Sequence, residues 1–381
     1  MTRPRILCIS FSDISADARV LRQLAVLAEF GPVTTLSYGP KPDHAADHVE
    51  IDSSLASLPQ TVPGVLNLAL RRFRAVELAA PAVKAAREAL GARTFDIVVA
   101  NEARALPLAF RVAGSPRIWC DLHEWAPAER THVLSWRLLV APFMDWVCAE
   151  YLSRADVATT VNESIAQLYL ADYGVPTRIV RNSIAYRDDL VPSAMAPGLI
   201  RLVHSGGAVP GRNIEAIVDA VELLGDGYTL DLFLVPSRQA DGYWRQLVER
   251  IARSPRTTLH PAVTPAELPG ALNAYDLGVY LLPPQTPNHR FMLPNKFFDF
   301  VQARLGIVFG TAVETDRLIK EHGLGVVTAG YSASDLADAI RVLSRDDVAG
   351  FKAATDRAAQ ELSSTSDIQV ERELLSGLVG A

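Results

Sequence analysis

The chain has 381 residues, of which 49% are hydrophobic and 21% charged, with a net charge of −6. That composition excludes a disordered chain, its length predicts two domains, and its acidity gives no electrostatic footprint for nucleic acid. Cys8, Cys120 and Cys148 stand in apolar runs without metal-type spacing. They predict buried, reduced thiols.

The N-terminus MTRPRILCISF enters a strand at once, so no signal peptide is expected, and no apolar run approaches the ~18 residues of a membrane-spanning helix. A cytoplasmic chain is the expectation. Strand Arg5–Phe11 leads to a helix over Asp17–Phe30, with Val20, Leu21, Leu24 and Leu27 on one face, and then to strand Val33–Tyr38. Strands over Phe95–Ala100, Arg117–Asp121, Val157–Val161 and Thr177–Val180 follow, separated by helical sequence. Asp188–Gly198 has no periodicity and reads as a linker. Beyond it the alternation restarts, with strands over Leu199–His204, Tyr228–Val235, Thr257–His260, Leu277–Leu282, Gly306–Gly310 and Gly325–Thr328. Strands separated by helices predict parallel, doubly wound sheets. The expected organisation is an N-terminal domain (1–187), a linker (188–198), a C-terminal domain (199–362) and a last helix (363–381) crossing back to the first. Two Rossmann-like halves predict an interdomain cleft between their carboxyl edges, where ligands of open α/β sheets bind.

The most informative segment is LPNKFFDFVQARLGIVFG, Leu293–Gly310. Pro294 suits a helix start, and the backbone N–H groups of Asn295, Lys296 and Phe297 are expected to point outward as an anion site. Asp299 lies one turn after Asn295 and on its face, so a diphosphate at the helix start would bring ribose hydroxyls to its carboxylate. In His204-Ser-Gly-Gly-Ala-Val-Pro-Gly-Arg-Asn213, Gly206 and Gly207 permit close backbone approach, and Arg212 can fork onto phosphate oxygens. Each has a plainer reading: Asp299 as a surface acid, the glycines as a chain-reversing turn, Arg212 as a solvated charge. Ser12, Asp13 and Ser15 follow the first strand and read equally as an acceptor-side loop or a helix-capping region, with Ser15 or Asp17 as cap. His123 and Glu124, after the strand RIWCD, read as site groups or as strand-end residues satisfied locally. Val65–Leu90 is apolar and basic, with Arg71, Arg72, Arg74, Lys84 and Arg87, and Pro81 interrupts it. It reads as a solvated helix face or as a surface for anionic lipid.

Taken in order, SFSDISADARVLRQLAVLAEFGPVTTLSY, FDIVVANEARALPLAF, WCDLHEW, VATTVNESIAQLYLADYGVPTRIVRNSI, HSGGAVPGRNIEAIVDAVELL and LPNKFFDFVQARLGIVFG resemble a retaining GT-B glycosyltransferase of glycosyltransferase family 4. The resemblance runs through nearly the whole chain. It implies a GT-B fold and a hexosyltransferase-type enzyme that moves a sugar from a nucleotide-sugar to a hydroxyl with retention of configuration. Asp299 matches the acid that holds the donor ribose, Arg212 the basic residue facing the leaving diphosphate, and His123 a histidine facing the donor sugar and the reacting carbon. A diphosphate oxygen would take the acceptor proton. Gly206, Gly207, Val263, Arg290, Leu293, Asn295 and Lys296 complete the expected donor side. The base is expected near His260–Val263 and Val235, and Glu124, Ser12, Asp13 and Ser15 form the acceptor side.

The chain departs from the family at three points. Phe291 stands where the first acid of a pair is usual, leaving His289 or Arg290 to contact the sugar. Gly207 replaces an arginine, and Asp299 is one methylene shorter than the usual glutamate. No cofactor and no metal are expected, since a basic residue and a helix dipole face the diphosphate. UDP is the favoured nucleotide, with GDP and dTDP open. The acceptor could be a lipid-linked glycan, a polysaccharide or a small metabolite, and a lipid-linked one would put the enzyme at the inner face of the plasma membrane. The alternatives are a sugar-nucleotide epimerase of the same architecture and a non-catalytic nucleotide-sugar-binding partner subunit.

Overall fold

The computed structural model describes residues 3–237 and 240–380. The chain divides into two compact units. The first holds the chain through Arg181, Thr286–Asn288 and the chain from Asp367; the second holds Asn182–Gln285 and His289–Ser366.

In the first unit, β1 (Ile6–Asp13), β2 (Val33–Tyr38), β3 (Asp47–Ile51), β4 (Ile97–Asn101), β5 (Arg117–Leu122), β6 (Val157–Thr160) and β7 (Arg178–Ile179) form one parallel sheet in the order β3-β2-β1-β4-β5-β6-β7. The central strands are buried on both faces, which accounts for their unbroken apolar runs. Helix Ala18–Phe30 starts where the Asp17 carboxylate accepts the N–H groups of Arg19 and Val20. Its buried face, Val20, Leu24 and Leu27, packs in one cluster with Ile6, Cys8 and Trp119. The last helix, Ser364–Gly380, adds Leu375 and Leu378 to the same core. Asp367 accepts the Arg181 backbone N–H at 3.0 Å and its Nε at 3.2 Å. All three cysteines are buried free thiols.

The second unit contains β8 (Ile200–Ala208), β9 (Tyr228–Pro236), β10 (Thr257–His260), β11 (Leu277–Tyr280), β12 (Gly306–Gly310) and β13 (Gly325–Thr328), all parallel in the order β10-β9-β8-β11-β12-β13. Strand order reverses beside β8, so the carboxyl end of β8 is the switch point where open α/β sheets take ligands. Two corrections bear on that end. β8 runs on to Ala208, so Gly206 and Gly207 are paired strand residues, opposite Leu234 and Val235, rather than turn residues. Pro294 is an extended N-cap of helix Asn295–Gln302, not its first helical residue. Phe297, Phe298, Phe300 and Val301 of that helix are fully buried with Ile307 and Phe309 of β12. Truncating one such phenylalanine to alanine costs roughly 3–5 kcal/mol, so the helix bearing Asp299 is firmly seated on the sheet.

Candidate functional site

The second unit assembles a cationic cradle around the end of β8. Gly206 adopts φ +122°, a region L side chains rarely enter, and a Cβ added there would meet Lys296 Nζ at 2.5 Å. Lys296, in the first turn of its helix, therefore lays its ammonium over the Gly206 backbone. The side chain is only 8% exposed and makes no ion pair among the described residues, and its Nζ lies 4.9 Å from the Tyr280 ring centroid. Burial first, then the charge of Arg212, lowers its pKa to about 8, with Asp299 acting the other way. Arg212 reaches in from the turn after β8, with Nη1 3.8 Å from where a Gly207 Cβ would stand. A larger residue at 206 would displace the Lys296 ammonium, whereas a Cβ at 207 would stand in ordinary contact with Arg212.

The turn is held open by side chains that bind backbone. Asn213, in the left-handed region at φ 60°, donates from Nδ2 to the carbonyls of Leu281 at 3.1 Å and Tyr331 at 2.7 Å. It therefore does not cap helix Ile214–Leu224, whose first N–H groups carry no side-chain acceptor. The start of helix Asn295–Gln302 likewise lacks a side-chain cap. Here the expectation of three outward N–H groups is corrected: the Phe297 N–H donates to the Pro294 carbonyl at 2.9 Å, leaving Asn295 and Lys296 at the open end. Asp299 has no hydrogen-bond partner among the described residues. Burial raises its pKa to about 7 despite the opposing charge of Lys296. An unsatisfied carboxylate in that setting is an acceptor in want of hydroxyl donors.

His204, fully buried beneath the cradle, donates from Nδ1 to the Val279 carbonyl at 2.8 Å and stacks on Tyr280. Burial, and next the charge of Lys296, lowers its pKa to about 3, so it is a neutral imidazole that adds no charge to the cradle. Leu293 packs in the core cluster of Phe297, and Asn295 is exposed. Val235 stands beside Gly207 in the β8–β9 ladder. Val263 lies beyond β10, separated from β8 by β9, and the neighbouring His260 pairs with Asp231 and stacks on Phe233. Arg290 is exposed with its guanidinium 5.9 Å from the Phe291 ring centroid, and His289 Nδ1 accepts the Gln285 N–H.

The first unit builds a separate polar cluster at the carboxyl ends of β4 and β5. Asp121, fully buried, receives Arg19 bidentately at 2.9 and 2.7 Å, the Thr159 hydroxyl at 2.6 Å and Gln23 Nε2 at 3.2 Å. Burial alone would raise the Asp121 pKa; Arg19 and His123 instead hold it far below the usual carboxylate range. His123 lies between acids, Nε2 3.2 Å from Asp121 and Nδ1 3.4 Å from Glu102, with Asn101 Oδ1 3.3 Å from Nε2. Desolvation disfavours its charged form, but Glu102 and Asp121 outweigh it and raise the pKa. Both nitrogens of His123 thus face acceptors, an arrangement that favours the charged ring. Glu102 adopts φ 71°, a strained conformation for a side chain of its size.

Glu124 keeps an exposed side chain, yet protein crowding around its carboxyl, then Glu102 and Glu129, pushes its pKa up to about 7. Asn288 Nδ2 donates to it at 2.8 Å. Asp13 accepts the N–H and hydroxyl of Ser15 at 3.0 and 2.6 Å, and Ser12 bonds Ser10 at 2.8 Å. Asp17, not Ser15, caps the following helix. Asn101, Glu102, Asn288 and the buried Arg19–Asp121 pair were not singled out from sequence. Only the polar pair Asn101-Glu102 ending an apolar strand offered a signal. Among the described residues no group of His, Cys, Asp and Glu could hold a metal ion.

No family model matches the sequence, and a search of curated proteins finds no match. Solved structures do match over the whole chain. One is the Anabaena protein Alr3699/HepE in complex with UDP and glucose, at TM-score 0.66 and 16% identity, covering 98% of this chain and 100% of that one. Another is sucrose-phosphate synthase from Thermosynechococcus elongatus, at TM-score 0.68 and 15% identity, covering 99% and 100%. A glycosyltransferase from Rickettsia africae matches at TM-score 0.66 and 12% identity, covering 100% and 99%. The fold is GT-B: two doubly wound Rossmann-like sheets, as in these proteins.

Proposed function

We propose that the chain is a glycosyltransferase that moves a sugar from a nucleotide-diphosphate sugar, a UDP-sugar in the first instance, to a hydroxyl acceptor with retention of configuration. The observation that carries this reading is the cradle at the end of β8, with two cations and two open helix starts beside an unsatisfied carboxylate. Anions gather at such helix starts, and a vicinal diol satisfies such a carboxylate. In this reading Arg212 and Lys296 hold the diphosphate, and Asp299 accepts hydrogen bonds from the ribose. The neighbour that binds UDP and glucose has the same fold, which supports the choice of nucleotide.

The reaction breaks the bond between the anomeric carbon and the diphosphate oxygen and forms one to the acceptor oxygen. The acceptor proton passes to a diphosphate oxygen, and the nucleoside diphosphate leaves. The developing charge on the leaving group is met by Arg212, Lys296 and the two helix starts, so the proposed donor site requires no metal ion. Ser12, Asp13, Ser15 and Glu124 are assigned to the acceptor. His123, with both ring nitrogens engaged by acids, is assigned to the donor sugar and the reacting carbon as an electrostatic group rather than a base.

The test is a thermal-unfolding screen against nucleoside diphosphates and nucleotide-sugars, since a ligand bound only by the folded state raises the midpoint. UDP or a UDP-sugar should stabilise the protein, and Asp299→Ala should remove most of the shift. A shift that survives in Asp299→Ala excludes the ribose assignment. Acceptor-dependent release of nucleoside diphosphate separates a transferase from an epimerase, which isomerises the donor with no acceptor, and from a non-catalytic subunit, which releases none.

A further inference from the structure

The short helix Val62–Ala69 presents the wrong face for a protein surface. Gly64 and Leu68 point inward, while Val62, Leu66 and Leu70, spaced at i, i+4 and i+8, are 84%, 58% and 53% exposed. A surface helix ordinarily carries charge on that stripe. Leu134 and Leu138 are exposed as well, and the Arg71 guanidinium, donating to the Leu138 carbonyl at 3.1 Å, ties the two segments together. A cavity of about 340 Å³ opens here, walled by Leu58, Val65, Leu68, Val133, Trp136 and Leu139. Arg130 stands at its wall with its guanidinium 5.7 Å from the Trp136 ring centroid.

Four arginines border this apolar face, with Glu129 the acid beside Arg130. Arg71, Arg72, Arg130 and Arg137 are exposed, and none forms an ion pair with a carboxylate among the described residues. Unpaired guanidinium groups are thus concentrated beside bare leucines in a chain whose net charge is −6. Apolar residues that enter an acyl layer, flanked by cations that meet phosphate, are the chemistry of an interfacial membrane surface. A second copy fits poorly, because a twofold self-contact would set these arginines against one another.

We propose that this face of the first unit docks on an anionic lipid bilayer, with Val62, Leu66, Leu70, Leu134 and Leu138 entering the acyl region, the arginines meeting headgroup phosphates, and the cavity taking one acyl chain. The docking uses no residue of the cradle at β8 and stands independently of the donor reading. Only its consequence, that a membrane-borne hydroxyl becomes the acceptor, rests on the transferase assignment.

The experiment is co-sedimentation of the full chain with vesicles of phosphatidylcholine alone and of equal parts phosphatidylcholine and phosphatidylglycerol. Binding to the anionic vesicles alone, weakened by added salt, is expected. The double variant Leu66→Glu/Leu138→Glu, at exposed positions, should bind at least about tenfold less with an unchanged thermal midpoint. Arg72→Glu/Arg137→Glu should lose the anionic preference. Absence of binding to the anionic vesicles overturns the proposal, as does a leucine variant that binds like the native chain. It is also overturned if the native chain is a dimer in solution that Leu66→Glu/Leu138→Glu dissociates, since the face would then be a subunit interface. UDP-induced stabilisation, measured in parallel, reports on the cradle and is unaffected by any of these outcomes.

Discussion

Lys296 and Gly206 exclude a side chain at position 206: the Lys296 ammonium lies only 2.5 Å from where a Cβ at 206 would stand. The lysine enters from the helix at Asn295 and not from the strand. Gly206→Ala should therefore act as a remote lysine mutation. It strains a backbone at φ +122° and displaces Nζ, so UDP affinity is expected to fall at least tenfold, by roughly 1.4 kcal/mol or more, with the fold retained. Calorimetric titration of UDP checks this, and an unchanged affinity would remove Lys296 from the phosphate site.

The depressed pKa of Lys296 has a pH signature. The folded chain holds it near 8, against 10.5 for an unperturbed lysine. Between those values the unfolded state binds more protons, so stability of the ligand-free protein gains a contribution that rises with pH across this window. Donor affinity runs the other way, because a diphosphate favours the charged form. At the folded pKa half of the lysine is charged and one pH unit above it only about a tenth, so UDP affinity should fall up to about fivefold between pH 8 and 9. Titrations across that range, flat in Lys296→Met, would establish the assignment; the same slope in both proteins would refute it.

Asp299 titrates from the opposite side. Its folded pKa near 7 lies above the ordinary 3.8, so the folded state binds more protons between those values and stability falls as pH rises through them. Asp299→Asn removes an unpartnered carboxylate and should stabilise the ligand-free chain at pH 8 by about 1–3 kcal/mol, while weakening UDP binding. Denaturant unfolding with and without UDP measures both effects. A variant destabilised in the absence of ligand would mean that Asp299 has a structural role.

The parts of this molecule that could be read from sequence are those decided locally. Val33–Tyr38, Gly306–Gly310 and Gly325–Thr328 are strands at the predicted residues, because short apolar runs bounded by turn residues report burial directly. The strand Asp47–Ile51 was not anticipated. It is an edge strand of sequence DHVEI, and its charges suppress the apolar signal. Asn295–Gln302 was legible as a helix start, but the Phe297–Pro294 bond that closes its first turn is a matter of backbone geometry. The meeting of Lys296 with Gly206 depends on β8 lying beside β11, with the helix from Asn295 packed over the sheet. No spacing within either motif encodes that. The pinning of His123 has the same character, since Glu102, Asp121 and Arg19 come from three separate elements.

The Arg19–Asp121 pair is predicted to matter more for its loss than for its presence. Both side chains are about 2% exposed or less, and Asp121 also receives Thr159 and Gln23. Arg19→Ala would leave a buried carboxylate short of its main partner and should cost about 3–5 kcal/mol. Arg19→Ala/Asp121→Ala should recover part of that loss. Chemical denaturation of the two variants decides it, and a double variant no more stable than the single one would show that packing, not charge, dominates.

His123 offers the sharpest separation of binding from turnover. Its raised pKa means that the folded state favours the imidazolium, a stabilisation complete below the ordinary value of 6.5 and lost as pH rises through the higher folded value. A group pinned through Nδ1 and Nε2 by Glu102 and Asp121 cannot readily take a proton from an acceptor, so its contribution to transfer is electrostatic. His123→Asn should accordingly lower turnover by about 10²–10³-fold, with UDP affinity changed by less than about threefold, because the cradle at β8 contains no part of it. His123→Gln, which keeps a donor but no charge, should do little better. Steady-state rates set beside UDP titrations make the distinction. Equal losses in both would assign His123 to donor binding, and full activity in His123→Gln would show that a hydrogen-bond donor, not a positive charge, is what the reaction needs at that position.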